Sequence, residues 1–167
     1  DLKKLKSEHE VRISELQKKL PKDELSAEEK QELIDSQSLK PEAEFSLKDY
    51  YDAGYTASAN NDFTTAIQHW KHVSSVQNTD DSNDLIAAAM LNLGWAYNQV
   101  GASDKAILTY KRGIRQFRGS DIEDIQSSIA QVMFNLGATY GYEKSSSEEI
   151  ETYKQLIEQF SGHDNED

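Results

Sequence analysis

The chain has 167 residues, a formal net charge of −12 and no cysteine. The missing cysteine excludes disulfides, thiolate metal sites and a cysteine nucleophile, and no apolar run approaches the roughly 20 residues that span a bilayer. The acidic balance repels phosphate backbones, so no nucleic-acid partner is expected and a basic or apolar protein surface is favoured.

Residues 1–20 read as a helix, because Leu2, Leu5, Ile13, Leu16 and Leu20 recur at three- and four-residue steps. The stripe is narrow and His9 interrupts it. Two readings stand: a short coiled coil, or the last turns of a helical linker. Pro21 ends the segment. Ser26 and Glu29 form a capping box for a short polar helix to about Gln37. Lys40-Pro41-Glu42 is a linker, since the residue before proline avoids the helical region.

From Ser46, an N-cap with Asp49 at N3, the pattern becomes pairs of helices. The first pair is expected over 47–60 and 62–76, broken at Asn60-Asn61-Asp62. The second is expected over 82–100 and 103–118, with Gly101 after the first helix and Ser103 as N-cap of the second. The third is expected over 121–142 and 146–160, broken at Lys144-Ser-Ser146. No segment alternates with period two for long enough to make a strand.

These pairs are copies of one another. Met90-Leu-Asn-Leu-Gly-Trp-Ala-Tyr97 recurs as Met133-Phe-Asn-Leu-Gly-Ala-Thr-Tyr140, and earlier as Tyr50-Tyr-Asp-Ala-Gly-Tyr-Thr-Ala57. With Gly54, Gly94 and Gly137 in register, the residue sixteen later is Trp70, Tyr110 and Tyr153. The residue twelve later is Ala66, Ala106 and, as an exception, Glu149, so the third pair is expected to pack less tightly. The glycines and alanines let helices approach closely, and Tyr97, Tyr110, Tyr140 and Tyr153 fill the space between pairs. Phe117-Arg-Gly-Ser-Asp-Ile-Glu-Asp124 is echoed by Phe160-Ser-Gly-His-Asp-Asn-Glu-Asp167, which reads as the start of a further repeat within a longer array.

The set Leu93, Gly94, Tyr97, Ala106, Tyr110 and Gly113, with its counterparts in the other pairs, resembles the tetratricopeptide repeat. The resemblance covers about 47–160. It departs in period, since glycine to glycine is 40 and then 43 residues against the family's ~34. The extra residues fall at 74–84 and 118–127 and should lengthen the next first helix. This long period resembles the variety found in bacterial multidomain proteins. The implied fold is an all-α solenoid of three helix pairs, about 47–76, 82–118 and 121–160, after a helical N-terminal extension over 1–45 and before a tail or new repeat at 161–167.

The resemblance also places a binding groove on the first helices. Its expected residues are Tyr51, Tyr55 and Ser58, then Leu91, Asn92, Trp95, Asn98 and Gln99, then Phe134, Asn135, Ala138 and Tyr142. Aromatics and amides suit an extended or helical peptide, with pockets for anchors and amides for its backbone. The family's carboxylate clamp is not expected, because Tyr51, Tyr55, Phe134 and Ala138 stand where cations and an amide are wanted.

His69 and His72 stand three apart on one helix, a spacing that metal sites use, but no third ligand completes them, so no metal and no cofactor is expected. Lys111, Arg112, Arg115 and Arg118 make a basic stripe near a helix C-terminus. It reads as a solvated face paired with the acids of 121–124, or else as a contact for an acidic partner. Glu148, Glu149 and Glu151 sit at the opposite, acid-favouring end of the last helix. No catalytic order of residues or phosphate loop stands out. The leading expectation is a non-catalytic scaffold that binds a protein or peptide. The alternative is an oligomerisation or regulatory segment of a larger protein, with a homo-oligomer open. The compartment is not fixed; the cytoplasm is favoured over the periplasm.

Overall fold

The computed structural model describes residues 42–77, 79 and 82–161. The expected helix over 1–20, the Ser26 helix, Lys40, Pro41 and 162–167 lie outside the described residues. After a single 3-10 turn at Glu42–Glu44, six α-helices follow: α1 (Leu47–Ala59), α2 (Phe63–Ser75), α3 (Asn83–Gln99), α4 (Ser103–Phe117), α5 (Glu123–Tyr142) and α6 (Ser146–Phe160). They pack as three antiparallel pairs, α1/α2, α3/α4 and α5/α6, with no strand among the described residues. The fold is the expected all-α helical-hairpin solenoid.

Local chemistry starts and stops these helices. Ser46 and Asp49 form the reciprocal capping box: Ser46 Oγ accepts from Asp49 N at 3.2 Å and Asp49 Oδ2 accepts from Ser46 N at 2.7 Å. Asp62 caps α2 by accepting from Thr65 N at 3.1 Å. Ser103 is not an N-cap; it is the first residue of α4, Ala102 occupies the cap, and no side-chain cap bond forms there. The reason lies in the turn before it. Each pair closes with the same six-residue hydrogen bond: Asp62 N to Ala57 O, Ala102 N to Tyr97 O and Ser145 N to Tyr140 O, at 2.9, 2.8 and 2.9 Å. Each such turn puts one residue in the left-handed region, Asn61, Gly101 and Lys144, with φ of 59°, 72° and 58°. The turn's own backbone bonds fix the entry to α4 without a side-chain cap.

Between pairs, the extra residues appear as longer first helices. Helix α3 runs 17 residues and α5 runs 20, against 13 for α1. Their added turns bury Ile86, Ile125 and Ile129 against the preceding pair. The core is therefore shared: Trp70 and Val73 of α2 join Met90 and Leu93 of α3, and Phe117 of α4 joins Ile125 and Met133 of α5.

Within each pair the glycine and the aromatic sixteen later meet face to face. A methyl group added at Gly54 would lie 2.5 Å from Trp70, at Gly94 2.2 Å from Tyr110, and at Gly137 2.5 Å from Tyr153. Only a bare backbone leaves room for those rings. The third pair accommodates Glu149 in place of alanine by a second glycine: a methyl on Gly141 would lie 2.8 Å from Glu149 Oε1. The departure at Glu149 is thus met by a small partner across the pair.

Candidate binding groove

The first helices α1, α3 and α5 lie side by side and present one face in common. Two cavities open on it, of about 370 and 400 Å³. Tyr55, Leu91, Asn92, Gln131 and Asn135 line the first, with Trp95. Asn98, Gln99, Ala138, Thr139 and Tyr142 line the second, again with Trp95 and Asn135. Because both cavities share Trp95 and Asn135, they form one groove across the three helices. No charged side chain lines either cavity.

Trp95 is the groove's central feature. It is 39% exposed and is held edge-on against Phe63 of α2, ring centroids 5.5 Å apart. Tyr142 at the far end is 86% exposed. The amides beside Trp95 are oriented by bonds between helices. Asn92 Nδ2 donates to the Tyr51 hydroxyl at 2.9 Å, and Asn98 Nδ2 donates to Thr139 Oγ1 at 2.8 Å. Thr139 Oγ1 in turn donates to the Asn135 carbonyl at 2.7 Å. Both amides therefore spend an N–H on the scaffold.

Two of the expected groove residues lie elsewhere. Tyr51 is 1% exposed and belongs to the core, because α3 covers it and Asn92 bonds its hydroxyl. Burial pushes that hydroxyl well above its ordinary range, and the Asn92 bond opposes this only partly. Phe134 is 57% exposed but lines neither cavity; its ring leans on Tyr153 of α6 at 5.9 Å. Gln131 and Thr139 were not singled out by the repeat pattern. Gln131 could have been found, since it lies one turn before Asn135 on the same helix face.

Tyr110 lies at the back of the second cavity, fully buried. Burial raises its hydroxyl above the usual range while the nearby amides of Asn135 and Asn98 pull the other way, yet neither closes a hydrogen bond to it. A buried hydroxyl without a partner loses its hydration and gains no bond in return. Tyr110→Phe is therefore expected to leave the unfolding free energy within about 0.5 kcal/mol of wild type or to raise it. Chemical denaturation checks this, and a loss above about 1 kcal/mol would mean that the hydroxyl is bonded.

The remaining candidates lie outside these two cavities. His69 and His72 flank the Tyr50 ring, with centroids 5.9 and 4.1 Å away, and burial lowers the His69 pKa. Among the described residues no group of three or more metal-ligating side chains forms, and no helix is long and apolar enough to cross a membrane. The basic stripe divides: Arg112 reaches back to the Ser74 carbonyl at 3.4 Å, while Lys111, Arg115 and Arg118 line a separate cleft.

Residues 87–116 match the family model described as Tetratricopeptide repeat. That stretch holds most of α3 and α4, the pair whose Gly94 and Tyr110 meet at the closest distance. No curated protein and no solved structure matches the chain.

Proposed function

We propose that the groove over α1, α3 and α5 binds a peptide segment of a partner protein, a reading supported by the match of residues 87–116 to the tetratricopeptide repeat, whose repeats mediate protein–protein interaction. The observation that carries the reading is the lining itself: exposed aromatic rings and side-chain amides, with no charge. Trp95 and Tyr55 supply flat apolar surface for an anchor residue. Asn92, Asn98, Asn135 and Gln131 keep acceptor oxygens and remaining donors for a peptide backbone. The favoured ligand is apolar and uncharged where it enters the groove. A cation clamp for a C-terminal carboxylate has no residues to form it there.

The chain's two tryptophans provide the test, since Trp70 is buried and Trp95 is half-exposed. Peptides selected from a random displayed library against the whole chain are expected to shield Trp95 from acrylamide quenching. Tyr55→Ala combined with Trp95→Ala is expected to weaken those peptides at least about tenfold, with far-UV circular dichroism unchanged. Raising the salt from low to high should change the affinity little, because no fixed charge lines the groove. Selected peptides that bind the double variant as well as wild type would sink the proposal.

A further inference from the structure

A further cavity lies outside the groove. It is a cleft of about 700 Å³ between α4 and α6, floored by α5. On α5 the floor residues Met133, Leu136 and Tyr140 stand close to half a turn away from the groove residues Asn135, Ala138 and Tyr142 at 100° per residue. The two openings therefore lie on opposite sides of the same helix. The resemblance that placed the groove gives no role to this second side.

The cleft is electrically divided. Lys111 and Arg115 of α4, four residues apart, and Arg118 at its C-cap line one wall. Glu148 and Glu151 stand across from them on α6. Among the described residues no ion pair bridges the two walls. The Lys111 ammonium instead rests 5.5 Å over the Tyr140 ring, and Glu148 takes a hydrogen bond from Ser147. The cationic stripe is about two helical turns long, or about 10 Å, and the acidic pair spans about one turn, or about 5 Å. Ile114 lies between the cationic wall and the floor, half-buried.

We infer that this cleft is a second docking site, for an amphipathic helical segment of a partner protein that carries acidic side chains along one flank and basic side chains along the other. Acids of that segment would face Lys111, Arg115 and Arg118; its bases would face Glu148 and Glu151; its apolar seam would sit over Ile114. Charge complementarity makes this choice of occupant. A purely acidic ligand meets the two glutamates, a purely basic one meets the three cations, and only a ligand with the charges divided satisfies both walls. The walls are solvated, so the contact is salt-sensitive, the opposite of what the groove predicts. This inference does not rest on the groove reading.

The test uses two designed helical peptides of about 16 residues with one composition. In the first, leucines form a seam with glutamates on one flank and lysines on the other. In the second, both charges are mixed on both flanks. Titration against the intact chain by fluorescence anisotropy at low salt is expected to favour the divided peptide about tenfold or more. Lys111→Glu with Arg115→Glu should abolish that preference, and so should Glu148→Lys with Glu151→Lys. All four substitutions together should restore it, because a helix turned end for end exchanges its flanks. The four residues are exposed, so circular dichroism should not change. Equal binding of the two peptides, no binding of either, or indifference to the paired reversals would each overturn the inference.

Discussion

Trp70→Ala is expected to lower the unfolding free energy by about 3–5 kcal/mol, the range for removing a fully buried large aromatic. The side chain is 1% exposed and packs within the cluster that joins α1, α2 and α3. Its Nε1 donates to the Tyr51 carbonyl at 3.0 Å, and its ring fills the space above Gly54. Alanine leaves a cavity above Gly54 that the packed helices close only in part. Trp70→Phe separates the two contributions. It keeps most of the ring volume and loses the indole bond, while the Tyr51 carbonyl remains an acceptor within α1. Its expected cost is therefore smaller, about 1–2 kcal/mol. Urea denaturation followed by circular dichroism measures both. Because neighbouring pairs share one core, the alanine variant should shift the whole transition rather than release the first pair alone. A loss below about 1 kcal/mol for Trp70→Ala would show that this ring does not join the first two pairs.

Gly94→Ala is the second large effect, an expected loss of about 1–3 kcal/mol from one added methyl group. Alanine is intrinsically the better helix former by about 1 kcal/mol, so propensity predicts the reverse sign. Packing wins because the new carbon would lie 2.2 Å from the Tyr110 ring, and that ring is fully buried and cannot swing away. Gly141→Ala is the control. There the methyl group would meet the carboxylate of Glu149, a half-buried flexible side chain that can move. Its stability is expected to stay within about 1 kcal/mol of wild type, on either side. A double-mutant cycle of Gly94→Ala with Tyr110→Leu should recover part of the loss, since the two residues touch. If Gly94→Ala and Gly141→Ala behave alike, the ring contact is not what fixes glycine at this register.

Much of this architecture could be read before any coordinates. The sixteen-residue step from Gly54 to Trp70, Gly94 to Tyr110 and Gly137 to Tyr153 is a contact in the structure each time. It is legible because helix, tight turn and helix have fixed lengths, so a constant step in sequence becomes a constant place in space. The breaks at Asn61, Gly101 and Lys144 are legible for a related reason: each turn needs one residue in the left-handed region at the same offset. Ser103 carries the local signal of a cap, but the bond from Ala102 N to Tyr97 O sets the helix start one residue earlier.

Exposure within the repeat was another matter. Tyr51, Leu91 and Phe134 occupy one register position, three residues before the glycine. Tyr51 is buried, Leu91 half-buried and Phe134 exposed. Helix α3 covers Tyr51, Leu91 packs with Val132 and Leu136 of α5, and no described first helix follows α5 to cover Phe134. Ile114 and Ile157 show the same progression, half-buried against exposed. The cleft between α4 and α6 is likewise absent from any single repeat, since its cations and carboxylates come from successive pairs. The helices, their turns and the register in which they pair follow from the amino-acid order alone, because they depend on residues within one hairpin. Which copies of each position meet solvent, and which charges face one another, depends on the packing of whole pairs, because burial in a solenoid is conferred by the neighbouring pair.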